Sequence, residues 1–333
     1  MSSRRAALAL ALLVTFLWST SWVLIKVGLD DLQLAPLSFA GLRYALAAGL
    51  LLPLALPGLR AARTRHASRS LLARVGLLGV VLIAVTQGAQ FAALVHLPAV
   101  SVSLALSTTP VLVALASLRG ERPTLGQMLG IIALVVGAGL YFGPVELGAG
   151  ATVGLAIAAM GVGANASASL LGRSLMRDSL LPLGGVVGVT ALSMAVGAAV
   201  LLGVGLVLEG LPMLNADGWL IVGWLAVVNT ALAFVLWNQT LRTLTAVESS
   251  VVNNLMLVQI AVLAWVFLGE SLDGRELAGL AIAMAGIVAV QLAGRGQVGA
   301  AAQDVPRVSE AAPGTVQSRL MNRLGRSSKP SRR

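Results

Sequence analysis

The chain of 333 residues has no cysteine, only two histidines and little charge: Asp, Glu, Lys and Arg together make up 11%. Without cysteine there is no disulfide framework, no thiolate metal site and no cysteine nucleophile. His66 and His96 alone leave little material for a zinc centre. The shortage of charge says more. An average soluble domain is about a quarter charged and 45–50% apolar. Here the apolar share is 57% and the mean hydropathy +0.91. Folding cannot hide that excess, because a surface facing water must still be polar. The solvent for this chain is lipid.

About 20 predominantly apolar residues are needed to cross the hydrocarbon as a helix. The hydropathy pattern predicts ten such runs, at 6–29, 36–57, 71–95, 97–118, 124–143, 150–172, 182–208, 216–241, 246–268 and 275–293. The first is longer than the core of a secretory signal, about 7–15 residues, and is read as a span. Short loops such as "PGLRAARTRHASR", "RGERP" and "EGLPMLNADG" separate the runs. Helices satisfy their own backbone in lipid, so the expected fold class is an all-α integral membrane protein with ten transmembrane helices.

The formal net charge of +10 would suit a nucleic-acid binder, but its placement argues otherwise. With the N-terminus cytoplasmic, all of the 23 lysines and arginines except Lys26, Arg43 and Arg275 fall at the inner side or in the tail. Asp30, Asp31, Glu146, Glu209 and Asp217 fall in outer loops. This is the positive-inside pattern, with both termini cytoplasmic. No nucleic acid is expected as a partner.

Gly120, Glu121, Gly130 and Gly137 recur as Gly269, Glu270, Gly279 and Gly286, each 149 residues later. Pro36-Leu37 and Pro182-Leu183 open spans two and seven, and Lys26 near the end of span one is echoed by Arg173. Five spans per half is an odd number, so the second half enters the bilayer from the opposite face. The expected organisation is two inverted five-helix repeats, 6–143 and 150–293, an arrangement of secondary transporters. Residues 294–333 form a basic tail, read as disordered and cytoplasmic, with a short lipid-surface helix in "VQSRLMNRLGR" as the alternative.

"FLWSTSWVLIKVGL", "PLSFAGLRYALAAGLLLPL", "LALSTTPVLVAL" and the two Gly-Glu turns resemble the EamA family of the drug/metabolite transporter superfamily. The resemblance covers residues 6–293. It implies a multi-pass carrier of the bacterial inner membrane, commonly an exporter of amino acids or related metabolites. An importer, or a drug or nucleotide-type carrier of the same superfamily, is the alternative. Span six, "GVGANASASLLGRSL", lacks the tryptophans of span one.

Candidate site residues follow from polarity at membrane depth. Arg43 lies about 10 Å along span two from Pro36. A central arginine costs about 2.5–3.5 kcal/mol on insertion, while each leucine of that span returns about 0.3–0.6 kcal/mol. Two readings stay open: a planar anchor for a carboxylate, or a side chain that snorkels outward or pairs with Asp30 or Asp31. Lys26 suits an i,i+4 pair with Asp30. Thr15, Trp18, Trp22 and Lys26 share one face of span one, which makes Trp18 and Trp22 candidate cavity walls. Gln87 and Gln90 in span three, Ser107 in span four, Asn229, Trp237 and Asn238 in span eight, and Asn253 in span nine complete a polar interior suited to a small zwitterion. Interhelical hydrogen bonds would retain such residues without any solute.

Pro110 cannot donate to the carbonyl of Leu106, so span four should loosen there and offer a hinge. Ser107, Thr108 and Thr109 are placed to satisfy the freed groups. The spacings Gly126/Gly130, Gly139/Gly143 and Gly150/Gly154 permit close helix approach. No Asp or Glu lies in the middle third of a predicted span, and Glu248 at an inner mouth is the nearest substitute. Transport down the solute's own gradient is therefore expected. Neither H-E-x-x-H nor G-x-S-x-G occurs, nor a membrane-depth aspartate pair, so neither an enzyme nor a cofactor is expected. The expected partners are a small-molecule solute and the lipid bilayer, with the chain acting as a monomer or homodimer.

Overall fold

The computed structural model describes residues 2–62, 68–117, 124–142, 149–176, 183, 185–210, 212–240, 243 and 246–303. Every regular element among them is helical. Helix α1 (Ser2–Asp30) leads to α2 (Pro36–Ala62); α3 (Arg69–Gly79), a π segment (Val80–Gln87) and α4 (Gly88–Leu94) follow as one rod. Then come α5 (Ala99–Ser107), α6 (Thr109–Ser117) and α7 (Leu125–Phe142). The second half has α8 (Ala149–Met176), α9 (Gly185–Leu208), and a rod of α10 (Ala216–Ala226), a π segment (Val227–Leu232) and α11 (Ala233–Thr240). Helices α12 (Ala246–Leu268) and α13 (Gly274–Gln303) close it.

Among the described residues, six rods are long and apolar enough, by length and composition, to cross a membrane: Arg5–Asp30, Pro36–Arg60, Arg69–Leu94, Gly150–Gly172, Gly185–Leu208 and Ala216–Trp237. Ala99–Val113, Leu125–Tyr141 and Leu255–Leu268 are shorter apolar helices. Helix α13 continues to Gln303, ten residues past the expected end of span ten at 293, so the start of the expected disordered tail is helical. The rest of the tail, 304–333, lies outside the described residues, as do Gly120-Glu121 and Pro182.

The polarity is the reverse of a soluble domain. Leu54, Leu125, Val207, Trp265 and Phe267 are exposed, whereas Thr15, Ser19, Ser21, Arg43, Thr86, Gln90, Asn229 and Thr230 are buried. Lipid removes any penalty for an apolar exterior, and the polar groups turn inward to one another.

The echoed glycines meet across the two halves. A Cβ on Gly130 would sit 2.7 Å from the carbonyl oxygen of Gly286, and one on Gly286 would sit 2.6 Å from that of Gly130. Gly137 and Gly279 oppose each other in the same way, at 2.6 and 2.7 Å. Helices α7 and α13 thus run antiparallel in backbone contact, with Gly126 against Ala293 at one end and Tyr141 against Gly279 at the other. Helices α2 and α9 do likewise, through Gly41 on Leu202 and Gly205 on Ser38. The remaining Gly-xxx-Gly expectation fails in part. A Cβ at Gly139 or Gly150 would meet nothing within 4 Å, because those glycines face away from any neighbouring helix.

Two carboxylates bind the halves at one end of the bundle. Gly269 adopts φ +67° and Glu270 N–H donates to Ala264 O at 3.3 Å, which ends α12 in a left-handed turn. The Glu270 carboxylate then accepts from Ala99 N (2.7 Å) and Val100 N (3.3 Å), the first free amides of α5. Pro98, the residue before α5, supplies no side-chain cap. Glu209, just after α9, accepts from Leu37 N (3.0 Å) and Ser38 N (2.7 Å) at the start of α2. A carboxylate at a helix start satisfies orphan amides and complements the helix dipole.

Gly137→Leu should force α7 from α13 and lower stability to SDS unfolding by about 1–3 kcal/mol, as overpacking does. Gly139→Leu, in open space, should leave the unfolding midpoint unchanged.

Candidate functional site

The polar interior is organised by α2, whose start is set by Pro36, a residue that loses nothing by lacking an N–H there. The apolar run carries Arg43 and Tyr44 into the bundle, where they are 5% exposed each. Arg43 Nε donates to Thr230 Oγ1 at 3.0 Å in the second π segment, and a terminal nitrogen donates to Ser21 Oγ of α1 at 3.5 Å. Its guanidinium carbon lies 5.2 Å from the centre of the Tyr44 ring and 6.0 Å from that of Phe91. Rings at that distance attract a cation through their negative faces. No carboxylate pairs with Arg43 among the described residues. Neither Asp30 nor Asp31 reaches it, so the snorkelling and ion-pairing reading of this arginine does not describe the structure.

Asn229, next to Thr230, is fully buried. Its Nδ2 donates to Leu17 O and, at 2.9 Å, to Thr20 Oγ1 of α1, while its Oδ1 has no partner. Gln90 on α4 is 8% exposed and makes no hydrogen bond among the described residues. Gln87 accepts from the Tyr44 hydroxyl at 2.7 Å. The buried interior thus holds a cation with unused N–H groups on α2, an orphan acceptor in the second π segment and, on α4, an amide without a hydrogen bond among the described residues. Such an inventory complements a carboxylate and an amine in one small molecule.

The other sequence-derived candidates divide. Trp18 meets Trp237 at 5.2 Å and Phe234 at 5.8 Å between ring centres, so α1 and α11 share an aromatic wall. Trp22 belongs to the apolar core with Ile25 and Leu29. Ser107 turns back onto its own helix, donating to Ser103 O at 2.8 Å. Asn253 is half-buried and makes no hydrogen bond among the described residues. The side chains of Asn238, Arg173 and Glu248 lie outside the described residues, as does that of Pro110. Lys26 pairs with Asp30 at 3.1 Å and also donates to Leu94 O at 2.7 Å.

The helix does break where Pro110 requires it. Helix α5 ends at Ser107 and α6 begins at Thr109, with Thr108 at φ −77°, ψ −9°. Thr109 Oγ1 donates at 2.7 Å to Leu106 O, the carbonyl that the proline leaves without its usual donor. Asn165 of α8 donates to the same hydroxyl at 3.1 Å. Helix α12, which holds Gln259 at the corresponding place, is unbroken; Gln259 instead receives Ser19 Oγ of α1 at 3.0 Å.

Above this interior, at the end bearing the carboxylate caps, is a cavity of about 390 Å³. Lys26, Asp30, His96, Pro98, Phe267 and Glu270 are among its lining residues.

Sequence reasoning missed Tyr44, Thr230, Ser21 and Thr20. The dipeptide "RY" at 43–44 was a usable signal for the first, since a phenol beside an arginine at membrane depth needs a partner. The hydroxyl residues carried none, because a helix can satisfy serine and threonine by itself.

With this geometry in hand, comparison with known families finds the EamA-like transporter family matching residues 5–143 and again 153–292. The chain belongs to the EamA-like transporter family. It is thus a multi-pass membrane protein built of two family repeats, and its family is one of transporters rather than enzymes. A search of curated proteins finds no match. One solved structure, described only as "Crystal structure of protein", is similar with a TM-score of 0.58 and 19% identity, over 87% of this chain and 99% of its own. That likeness concerns the fold alone.

Thr109→Val should expose the cost of the proline break. It leaves Leu106 O and Asn165 Nδ2 without their partner, and should lower unfolding stability by about 1–3 kcal/mol. Thr109→Ser should restore most of it.

Proposed function

We propose that this EamA-like protein is a ten-span, inverted-repeat carrier that exports amino acids or closely related small metabolites across the bacterial inner membrane by alternating access. Both termini are cytoplasmic in this reading, and the end with the Glu209 and Glu270 caps faces outward. The basic residues of the loops and tail support that orientation.

The observation that carries the substrate class is Arg43, a buried guanidinium without a carboxylate among the described residues. A charge so placed is costly and calls for a partner, which an anionic group of the solute supplies. Asn229 Oδ1 adds the second half of the argument. An unpaired buried acceptor costs about 1–3 kcal/mol, and an ammonium group of the same solute relieves it. Trp18, Trp237 and Gln90 give such a solute an apolar wall and a polar contact; Gln87, Ser107 and Asn253 line the approaches, and the break before Pro110 serves as a hinge. No described carboxylate enters the polar cluster, so the solute's own gradient drives movement in this scheme.

Counterflow in proteoliposomes with the proteinogenic amino acids tests the proposal directly. At least one should exchange, with or without an imposed proton gradient. Arg43→Leu should lower transport per inserted molecule by about ten- to a hundredfold, the worth of a charged hydrogen bond. Undiminished transport by that variant would remove Arg43 from the site. Orientation is equally accessible, because the chain has no native cysteine. Glu121→Cys and Ser271→Cys should react with an impermeant maleimide from opposite sides; labelling from one side would end the inverted-repeat reading.

A further inference from the structure

Among the described residues two rods carry a π segment, and the two are placed alike. Val80–Gln87 interrupts the rod of α3 and α4; Val227–Leu232 interrupts the rod of α10 and α11. In each, a threonine hydroxyl donates to the carbonyl five residues earlier: Thr86 to Val81 at 2.9 Å, and Thr230 to Leu225 at 2.8 Å. In ordinary turns of this chain such hydroxyls reach back three or four residues, as Ser103 and Ser19 do. The longer reach belongs to the wide turn. A π turn is rare and tends to occur at functional sites. It needs something to hold it.

Adjacent residues of α2 do so. Arg43 Nε donates to Thr230 Oγ1 at 3.0 Å in the second segment, and the Tyr44 hydroxyl donates to Gln87 Oε1 at 2.7 Å in the first. Neighbours on a helix project about 100° apart, so one dipeptide can serve two helices on different sides. The polarity of the first contact is fixed. Thr230 has a single hydroxyl hydrogen, already given to Leu225 O, so it meets Arg43 as an acceptor. That bond holds the Nε edge of the guanidinium in the wide turn, and Ser21 receives a terminal nitrogen.

We propose that Thr230 is a positioning residue for Arg43, and that the Arg43-Tyr44 dipeptide is a two-armed tether holding both π segments in their wide-turn form. A solute carboxylate that draws the guanidinium toward itself competes with Thr230 for it and frees the second segment, while Tyr44 keeps the first. Occupancy of the site is thereby felt by one half of the molecule before the other. The route from solute to helix rests on Arg43 as the anion anchor; the tether itself exists without solute and is tested without it.

The test is hydrogen–deuterium exchange of the purified full chain in nanodiscs, with no solute added, read at 80–87 and 227–232. Tyr44→Phe should raise exchange at 80–87 by about threefold or more and leave 227–232 as in the wild type; Arg43→Met should do the reverse. Thr230→Val should repeat the Arg43→Met pattern and Thr230→Ser should not, which keeps the test decisive if Arg43→Met fails to insert. Equal changes at both segments, or none at either, would overturn the tether. For the positioning role, whichever amino acid counterflow identifies is the probe: Thr230→Val should raise its KM at least about fivefold, a change in ground-state binding, and Thr230→Ser should return it. An unchanged KM would overturn that role. Failure of every amino acid to exchange would strike the transport reading alone, since the exchange pattern stands independently.

Discussion

A guanidinium enclosed by apolar helices, with hydroxyls and rings for company and no described carboxylate, is the interaction on which the arrangement of this protein depends. Such a group is tolerated only where donors are partly satisfied and the surrounding helices are held firmly enough not to collapse away from it. Thr230 and Ser21 provide the first condition. The second comes from helix contacts in which the Arg43 side chain takes no part: α2 against α9 and α7 against α13, each in backbone contact through small residues. Lipid offers no hydrophobic drive for helices to associate, so close van der Waals packing carries that task.

The symmetry of the chain is most faithful in those supporting pairs. Gly130 and Gly137 are opposed by Gly286 and Gly279, so each half presents its motif to the other's copy. A duplicated glycine register is its own complement when the copies run antiparallel, and both must be kept for either to fit. The carboxylates Glu209 and Glu270 add polar closure at one end, each capping a helix of the first half from a helix of the second. Around the site the symmetry weakens. The first half breaks its fourth span before Pro110, while α12 runs through unbroken with Gln259 bonded to α1. The aromatic wall of Trp18, Phe234 and Trp237 likewise has no copy among the described residues. Structural contacts tolerate repetition; recognition of an asymmetric solute does not benefit from it.

The π segments link these two regimes. Both sit in corresponding rods, and both use a threonine in the same way, yet one is fastened by a tyrosine and the other by the arginine of the site. A wide turn has backbone bonds that an ordinary turn would place differently, so it can change form at modest cost when its side-chain fastening is exchanged. Placing one fastening on the solute-binding cation connects local chemistry to helix geometry.

What the amino-acid sequence settled by itself was whatever depends on composition and period. Length of apolar runs marked the helices to within a few residues, from α1 at the start to α12 at Ala246–Leu268, because lipid leaves no other way to satisfy the backbone. The Gly-Glu and glycine echo announced two related halves, and Pro110 announced a break that the structure places at Thr108. Tertiary structure alone decided which polar residues meet. Gln90 makes no hydrogen bond among the described residues and Gln87 is bound, Trp22 is core and Trp18 wall, Gly130 is a contact and Gly139 is not. Each pair looks equivalent along the chain. They differ only in which helix stands opposite, and that is set by contacts between residues far apart in sequence, which no local pattern records.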